Sequence, residues 1–357
     1  VQPGGDRAAS DLVRALLSPA GVGALPPGQW QAALPALHEQ RLIPFVYAHL
    51  RRTAVWRALP GFVQQALSDD FQRFSVRAYL LDAELAAVSA ALAGAGVDVL
   101  LLKGAALGRT VYASTAERPA GDLDLLIRSE QVERARQALH DLGYRAGGLY
   151  WLPRWQRRYR AELAMLRQAE DGSHILVELH WALVEAPFYI DQIPLDEIWQ
   201  AAHPAPQLAG AWLPDPATLL IHCCAHLALH HSQDMRLFWL LDVDRLARWP
   251  ALDWQTTLAQ AERWRLDLAV SRVVQQAAAC FGTPLPPAVT QWLAEPRPDP
   301  VQHALWGQGD ATPGYTWRKV RTTLAVVTPP QRRRYAAWLL LRSLLWAPEQ
   351  LARRLAD

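Results

Sequence analysis

Residues 62–127 force an abrupt change of period on the chain, and this constrains the fold more than any other stretch. From Phe62 to Ala93 apolar side chains recur at helical spacing, with Phe71, Phe74, Leu81, Leu85, Val88 and Leu92 three, four or seven residues apart. Gly94 and Gly96 stop that pattern. Val97–Leu102 then predicts a short strand, apolar on both faces from Val99 onward, as befits the centre of a sheet. Lys103-Gly104-Ala105 follows, and Ala105–Tyr112 predicts a short helix. Leu123–Ile127 predicts a second strand, with Asp122 and Asp124 at its head.

On a strand, residues i and i+2 share a face, so Asp122 and Asp124 stand side by side. Adjacent carboxylates repel unless a cation lies between them, and a hard divalent ion with oxygen ligands is the usual solution. Gly104 lets a backbone approach a phosphate, and the N-terminus of the following helix faces it. Together these features indicate a metal–nucleotide site. The plainer alternative makes Asp122 a turn residue after Gly121 and Asp124 an exposed strand position. The basic residues are almost all arginine. Lys103 is one of only two lysines, with Lys319, and an ammonium is a compact charge suited to phosphate. Arg118, four residues before Asp122, is either a bidentate phosphate ligand or a solvated loop charge.

Further along, Arg160–Gln168 and His174–Trp181 alternate as two strands, with Asp171-Gly172 as a hairpin turn. Glu178 and His180 share a face of the second. Glu178 is a possible third acid for the site, or an exposed hairpin carboxylate. His180 orients an acid, contacts substrate, or is a satisfied buried histidine.

The set Lys103-Gly104-Ala105-Ala106-Leu107, Tyr112, Arg118, Gly121-Asp122-Leu123-Asp124-Leu125-Leu126 and Val177-Glu178-Leu179-His180-Trp181 resembles an uncharacterised bacterial nucleotidyltransferase family. That family falls within the DNA polymerase β-like nucleotidyltransferase superfamily. The resemblance covers roughly residues 30–250. It implies an α+β fold, a small mixed β-sheet core with N-terminal helices and a helical C-terminal region. The expected division is 1–93 helical, 94–186 nucleotidyltransferase core and 187–357 helical. The implied reaction moves a nucleoside monophosphate from a Mg²⁺-bound NTP such as ATP to an acceptor hydroxyl, with Mn²⁺ as the alternative metal. In that scheme Asp122, Asp124 and Glu178 hold metal and are catalytic, and Lys103, Gly104, Ala105 and Arg118 bind the nucleotide. His180 and Asp242 lie on the substrate side. Ala105 replaces the superfamily's usual Gly or Ser, so backbone N–H groups must serve where a hydroxyl is missing. The rival readings are a catalytically degenerate nucleotide-binding or interaction protein and a toxin-like tRNA nucleotidyltransferase.

Composition narrows the remaining choices. A chain of 357 residues, 51% apolar, holds a substantial core, and a formal charge of +2 gives no global signal for nucleic acid. The acceptor therefore stays open among small molecule, peptide, protein and RNA. Three cysteines, Cys223, Cys224 and Cys280, show no zinc spacing and suit a reducing cytoplasm. No leader is read at the start, and no apolar run reaches membrane-spanning length, so no integral membrane contact is expected.

Other segments carry weaker signals. Asp11–Leu17, Gln29–Glu39 and Ile43–Arg52 predict short helices. Ser129 is expected to cap a helix ending at Gly143. After Pro187 only helices are predicted, beginning with one opened by Asp215-Pro216 and another over Leu237–Arg248. His222, His226 and His230, with Asp234, form a stripe read as a polar helix face lining the cleft rather than a metal site. Asp242 and Asp244 do not share a helix face, which leaves Asp242 as a substrate-side candidate or a surface carboxylate. Arginines interleave with aromatics over residues 150–160, and a basic, partly apolar helix is expected over 332–341.

Overall fold

The computed structural model describes residues 9–15, 27–118, 120–146, 161–169, 172–190, 192–231, 235–297 and 299–306, with two further helical positions, Arg333 and Ala336. Residues 150–160, Asp171, Asp234 and all of 332–341 except those two positions lie outside the described residues. After a helical stretch at 9–15 come α1 (Pro27–Glu39), α2 (Ile43–Arg51), α3 (Val55–Ala58) and α4 (Gly61–Gly94). The 34-residue α4 spans about 50 Å. It buries Leu81, Leu85, Val88 and Leu92 on the predicted stripe, while Phe71 and Phe74 are half-buried. The chain turns through Gly96 at φ 68°, a left-handed conformation that suits glycine.

The core follows as β1 (Val99–Leu101), α5 (Lys103–Thr110), β2 (Leu123–Leu126), α6 (Val132–Asp141), β3 (Arg145–Ala146), β4 (Glu162–Gln168) and β5 (His174–His180). Ser129 opens a separate 3-10 turn, Ser129–Gln131. Gln131 precedes α6, which has no side-chain cap, so the expected Ser129 cap is not formed. Beyond β5 lie α7 (Pro187–Ile190), α8 (Leu195–Ala201), β6 (His203–Pro204) and β7 (Ala211–Leu213). The chain then runs through α9 (Pro216–His230), α10 (Leu237–Ala247), α11 (Trp254–Arg263), α12 (Asp267–Phe281), α13 (Pro287–Ala294) and α14 (Pro300–Leu305).

Among the described residues seven strands form one mixed sheet in the order β3-β4-β5-β2-β1-β7-β6. The α+β expectation holds, but the sheet is larger than expected. The stretch after Pro187, read as wholly helical, contributes β6 and β7. These strands are two and three residues long, too short for any period to show. Gly210 at φ 64° turns the chain into β7, and its carbonyl accepts from Val99 N at 2.9 Å. β7 then runs parallel to β1, with Leu100 opposite Trp212. β1 is thus paired on both sides and buried throughout, as its unbroken apolar run implies. On its other side β1 is antiparallel to β2, which in turn runs parallel to β5.

The C-terminal helices pack as a layer in which α9 meets α10, α11 and α12, and α9 also touches α5. Asp215 caps α9, its carboxylate accepting from Ala217 N and Thr218 N at 3.0 and 3.1 Å. Among the described residues no helix is long and apolar enough to cross a membrane.

Candidate active site

Sheet register assembles the site. In the parallel β2–β5 pair Asp124 lies directly opposite Glu178, and Leu126 opposite His180. Asp124, Glu178 and His180 each offer a ligand atom, and these atoms lie within 4.8 Å of one another. His180 Nε2 is 3.1 Å from Asp124 Oδ1 and 3.6 Å from Glu178 Oε2. Lys103 reaches in from the end of β1, its Nζ 2.7 Å from Asp124 Oδ1 and 3.9 Å from Glu178 Oε2. Lys103 holds φ 42°, a strained conformation for a residue with a Cβ. It opens α5 two residues earlier than the sequence pattern predicts.

Charge in this cluster is balanced within the protein. Burial alone would raise the carboxyl of Asp124, which is 2% exposed, yet Lys103 and His180 hold it well below the usual range. Burial works against the charged form of Lys103 and His180, but the acids prevail. Lys103 is held firmly protonated, and hydrogen bonds to Asp124 and Glu178 push His180 up to about 9. Asp122 stands just before β2, outside the close group. Burial and the charge of Asp124 push its carboxyl up to about 6, the mark of a crowded acid.

Gly104 and Ala105 form the first turn of α5, where Ala105 is 5% exposed. A Cβ on Gly104 would lie 2.5 Å from Arg118 Nη1 and 2.9 Å from Ala120 Cβ. Arg118 is neither a solvated loop charge nor isolated. Its guanidinium engages both oxygens of Asp242, with Nη2–Oδ2 at 2.7 Å and Nε–Oδ1 at 3.2 Å. Tyr112 donates to Asp242 Oδ1 at 2.8 Å. Asp242 is therefore no surface carboxylate. It is 2% exposed and anchors α10 behind the Lys103–Gly104 turn. Asp242 and Arg118 meet each other, while Asp124, Glu178, His180 and Lys103 meet at the strand ends and Asp122 stands beside them, near enough for its charge to be felt.

Three neighbours were not singled out as site residues. Glu162 pairs across β4–β5 with His180, its Oε2 3.7 Å from His180 Nδ1. Burial and a hydrogen bond with Glu185 push Glu162 up to about 8. Glu185 Oε2 in turn lies 3.6 Å from His230 Nδ1. Hairpin register was the only signal for Glu162, and it needed the intervening turn to be counted correctly. The sequence pattern marks His222 only as part of a stripe. Its Nδ1 is 2.9 Å from Leu183 O and must donate, because a carbonyl only accepts. Nε2 is then a buried lone pair, and it has no hydrogen-bond partner among the described residues. Burial, with the positive charges of Lys103 and His180, pushes His222 down to about 3. The stripe continues through His226 and His230, stacked at 5.5 Å, to His231 and Trp239 at 4.2 Å.

Two carboxylates in register with a third beside them, a lysine at a strand–helix turn and a mixed sheet under a helical layer define a nucleotidyltransferase-type core. The model of a family described as "Uncharacterised nucleotidyltransferase" matches residues 26–282, and the chain belongs to that family. Among solved structures it is similar to an antigenic nucleotidyltransferase-like protein from Paracoccidioides brasiliensis. That match has 15% identity and a TM-score of 0.36, covering 62% of this chain and 96% of the other. No curated protein matches the chain.

Proposed function

We propose that this protein is a metal-dependent nucleotidyltransferase that moves a nucleoside monophosphate from Mg²⁺–NTP to an acceptor hydroxyl. The observation that carries the reading is the register of Asp124 against Glu178, with the Lys103 ammonium between them at the N-terminus of α5. The donor set fits a hard divalent ion. Asp124 and Glu178 offer carboxylate oxygens, and Asp122 adds a third charge alongside. His180 fits a Mn²⁺ site when neutral and otherwise serves as a proton donor that orients both acids. A bound cation would neutralise phosphate charge and lower the pKa of the acceptor hydroxyl.

The chain's own groups do the rest. Lys103 carries phosphate charge at the mouth of α5, where the first backbone N–H groups lack helical partners. Ala105 has no hydroxyl to contribute, so those N–H groups and Lys103 share that task. Arg118 and Asp242 fix the turn from behind. His222 and His226 of α9 feel the charge of Lys103, and in this reading α9 forms the acceptor side. In this reading the protein works in a reducing cytoplasm, the setting that three cysteines without zinc spacing suit.

One observation favours a purely nucleotide-binding role. The Lys103–Asp124 pair already balances the buried acid, so the fold does not need a metal. Calorimetry separates the readings, using each NTP with and without Mg²⁺ on the wild type and on Asp122→Ala/Asp124→Ala. The enzyme reading expects Mg²⁺-dependent binding that the double variant loses. Binding that ignores Mg²⁺ and survives the double substitution rejects it.

A further inference from the structure

A second group of cations, Arg41, Arg118 and Arg236, gathers where the charge of Asp122 is felt at Arg41. The end of α1 closes with Gln40 N donating to Ala36 O and Leu42 N to Leu37 O, both at 2.8 Å. This turn leaves Arg41 at φ 54°, a helix-end position that glycine normally fills. Gln40 is buried, and its Oε1 accepts from Leu237 N at 2.8 Å. Leu237 opens α10, and Arg236 immediately precedes it. One buried hydrogen bond therefore joins the residues next to Arg41 and Arg236 in sequence.

The side chains gather over two touching rings. The guanidinium carbons of Arg41 and Arg118 lie 5.9 and 5.3 Å from the Phe238 centroid. That of Arg236 lies 5.7 Å from the Trp239 centroid, and the two rings are 4.9 Å apart. Arg41 is exposed and forms no ion pair among the described residues. Partial burial and the charges of Arg236 and Arg118 lower its pKa, while Asp122 acts in the opposite direction. The plain reading is a solvated arginine resting on an aromatic ring. Left-handed turns without glycine also occur at Gln207 and Arg265, the latter ion-paired with Asp299, whereas Arg41 stands among other guanidiniums that the plain reading leaves unexplained.

We propose that Arg41 and Arg236 form a subsite for the terminal phosphates of a nucleoside triphosphate, an inference that rests on the nucleotidyltransferase reading above. Arg118 links the two halves of the site, with Nη1 against Gly104 and its guanidinium over the ring that Arg41 shares. In this reading a phosphate chain held at Lys103 and the α5 N-terminus runs by way of Arg118 to the Arg41 and Arg236 forks. Guanidinium forks match phosphate oxygens bidentately. The subsite thus selects triphosphate over monophosphate, whichever base is attached.

Calorimetry with Mg²⁺–ATP, AMP and inorganic tripolyphosphate tests this on the wild type, Arg41→Gly and Arg236→Gln. Glycine suits φ 54°, so Arg41→Gly is expected to melt no lower than the wild type and any lost binding is not a folding defect. Each variant should lose at least about tenfold in ATP and tripolyphosphate affinity, the worth of one charge-assisted hydrogen bond. AMP affinity should stay within about twofold of wild type. Unchanged ATP affinity, or an equal loss for ATP and AMP, overturns the subsite. If the wild type binds no nucleotide, the nucleotidyltransferase reading fails separately. Tripolyphosphate binding that both variants lose would still uphold the anion subsite, and no tripolyphosphate binding by the wild type overturns it.

Discussion

Gly104 shows how closely the turn is built. Alanine would gain up to about 1 kcal/mol of helix propensity there. Its methyl, however, meets the Ala120 methyl and an Arg118 guanidinium that Asp242 grips by both oxygens. Neither neighbour gives way easily, and overpacking costs roughly 1–3 kcal/mol. Gly104→Ala should therefore melt a few degrees below the wild type in a thermal scan. His222 makes a pH-dependent prediction. Its folded pKa of about 3 lies below the ordinary histidine value, so the unfolded chain takes up a proton first as pH falls. The stability this group contributes is present above pH 6.5 and is lost as pH drops toward 3. His222→Asn can keep the donor to Leu183 O while removing the titration. Between pH 7 and 5 the wild type should lose about 2 kcal/mol more than the variant in urea titrations.

At the scale of elements, α10 is held to the core by one buried ion pair. Asp242→Asn preserves shape but leaves Arg118 buried without its counter-charge, at a cost of about 3–5 kcal/mol. The denaturation midpoint should fall accordingly, and Tyr112 should lose its acceptor geometry in the same variant. The elements themselves were largely legible. The predicted strands Val97–Leu102, Leu123–Ile127, Arg160–Gln168 and His174–Trp181 match β1, β2, β4 and β5 to within two residues at each end. Long apolar runs and glycine stops carry that information locally. The close group at Asp124, Glu178 and His180 was partly legible, because strand parity places Glu178 and His180 on one face. Parity does not say which strands become neighbours, so the 2.7 Å grip of Lys103 on Asp124 was hidden. Arg118 and Asp242 are 124 residues apart, and no local pattern pairs them. β6 and β7 were missed because two or three residues cannot display alternation.

The whole molecule is more interdependent than the expected split at residues 93 and 186 suggests. β1 draws one neighbour from β7, and α5 rests on α9. The Lys103–Gly104 turn is backed by Asp242 from α10. We therefore expect residues 94–186 expressed alone to remain unfolded. Circular dichroism without strand signal and a collapsed amide NMR spectrum would bear this out, and a dispersed spectrum would show an autonomous core. A chain ending after α12 retains every described element that touches the site and should fold.

The pairing of β1 with β7 also sets a timetable. Val99 leaves the ribosome long before Ala211, its partner across the sheet. At ~5–20 residues per second that gap is on the order of ten seconds. Throughout it the central strand has one bare edge, a template for any extended chain nearby. The growing polypeptide must shield Val99–Leu101 until its own late strand arrives, so slowing synthesis between residues 102 and 210 should raise misassembly more than the same slowing after residue 231.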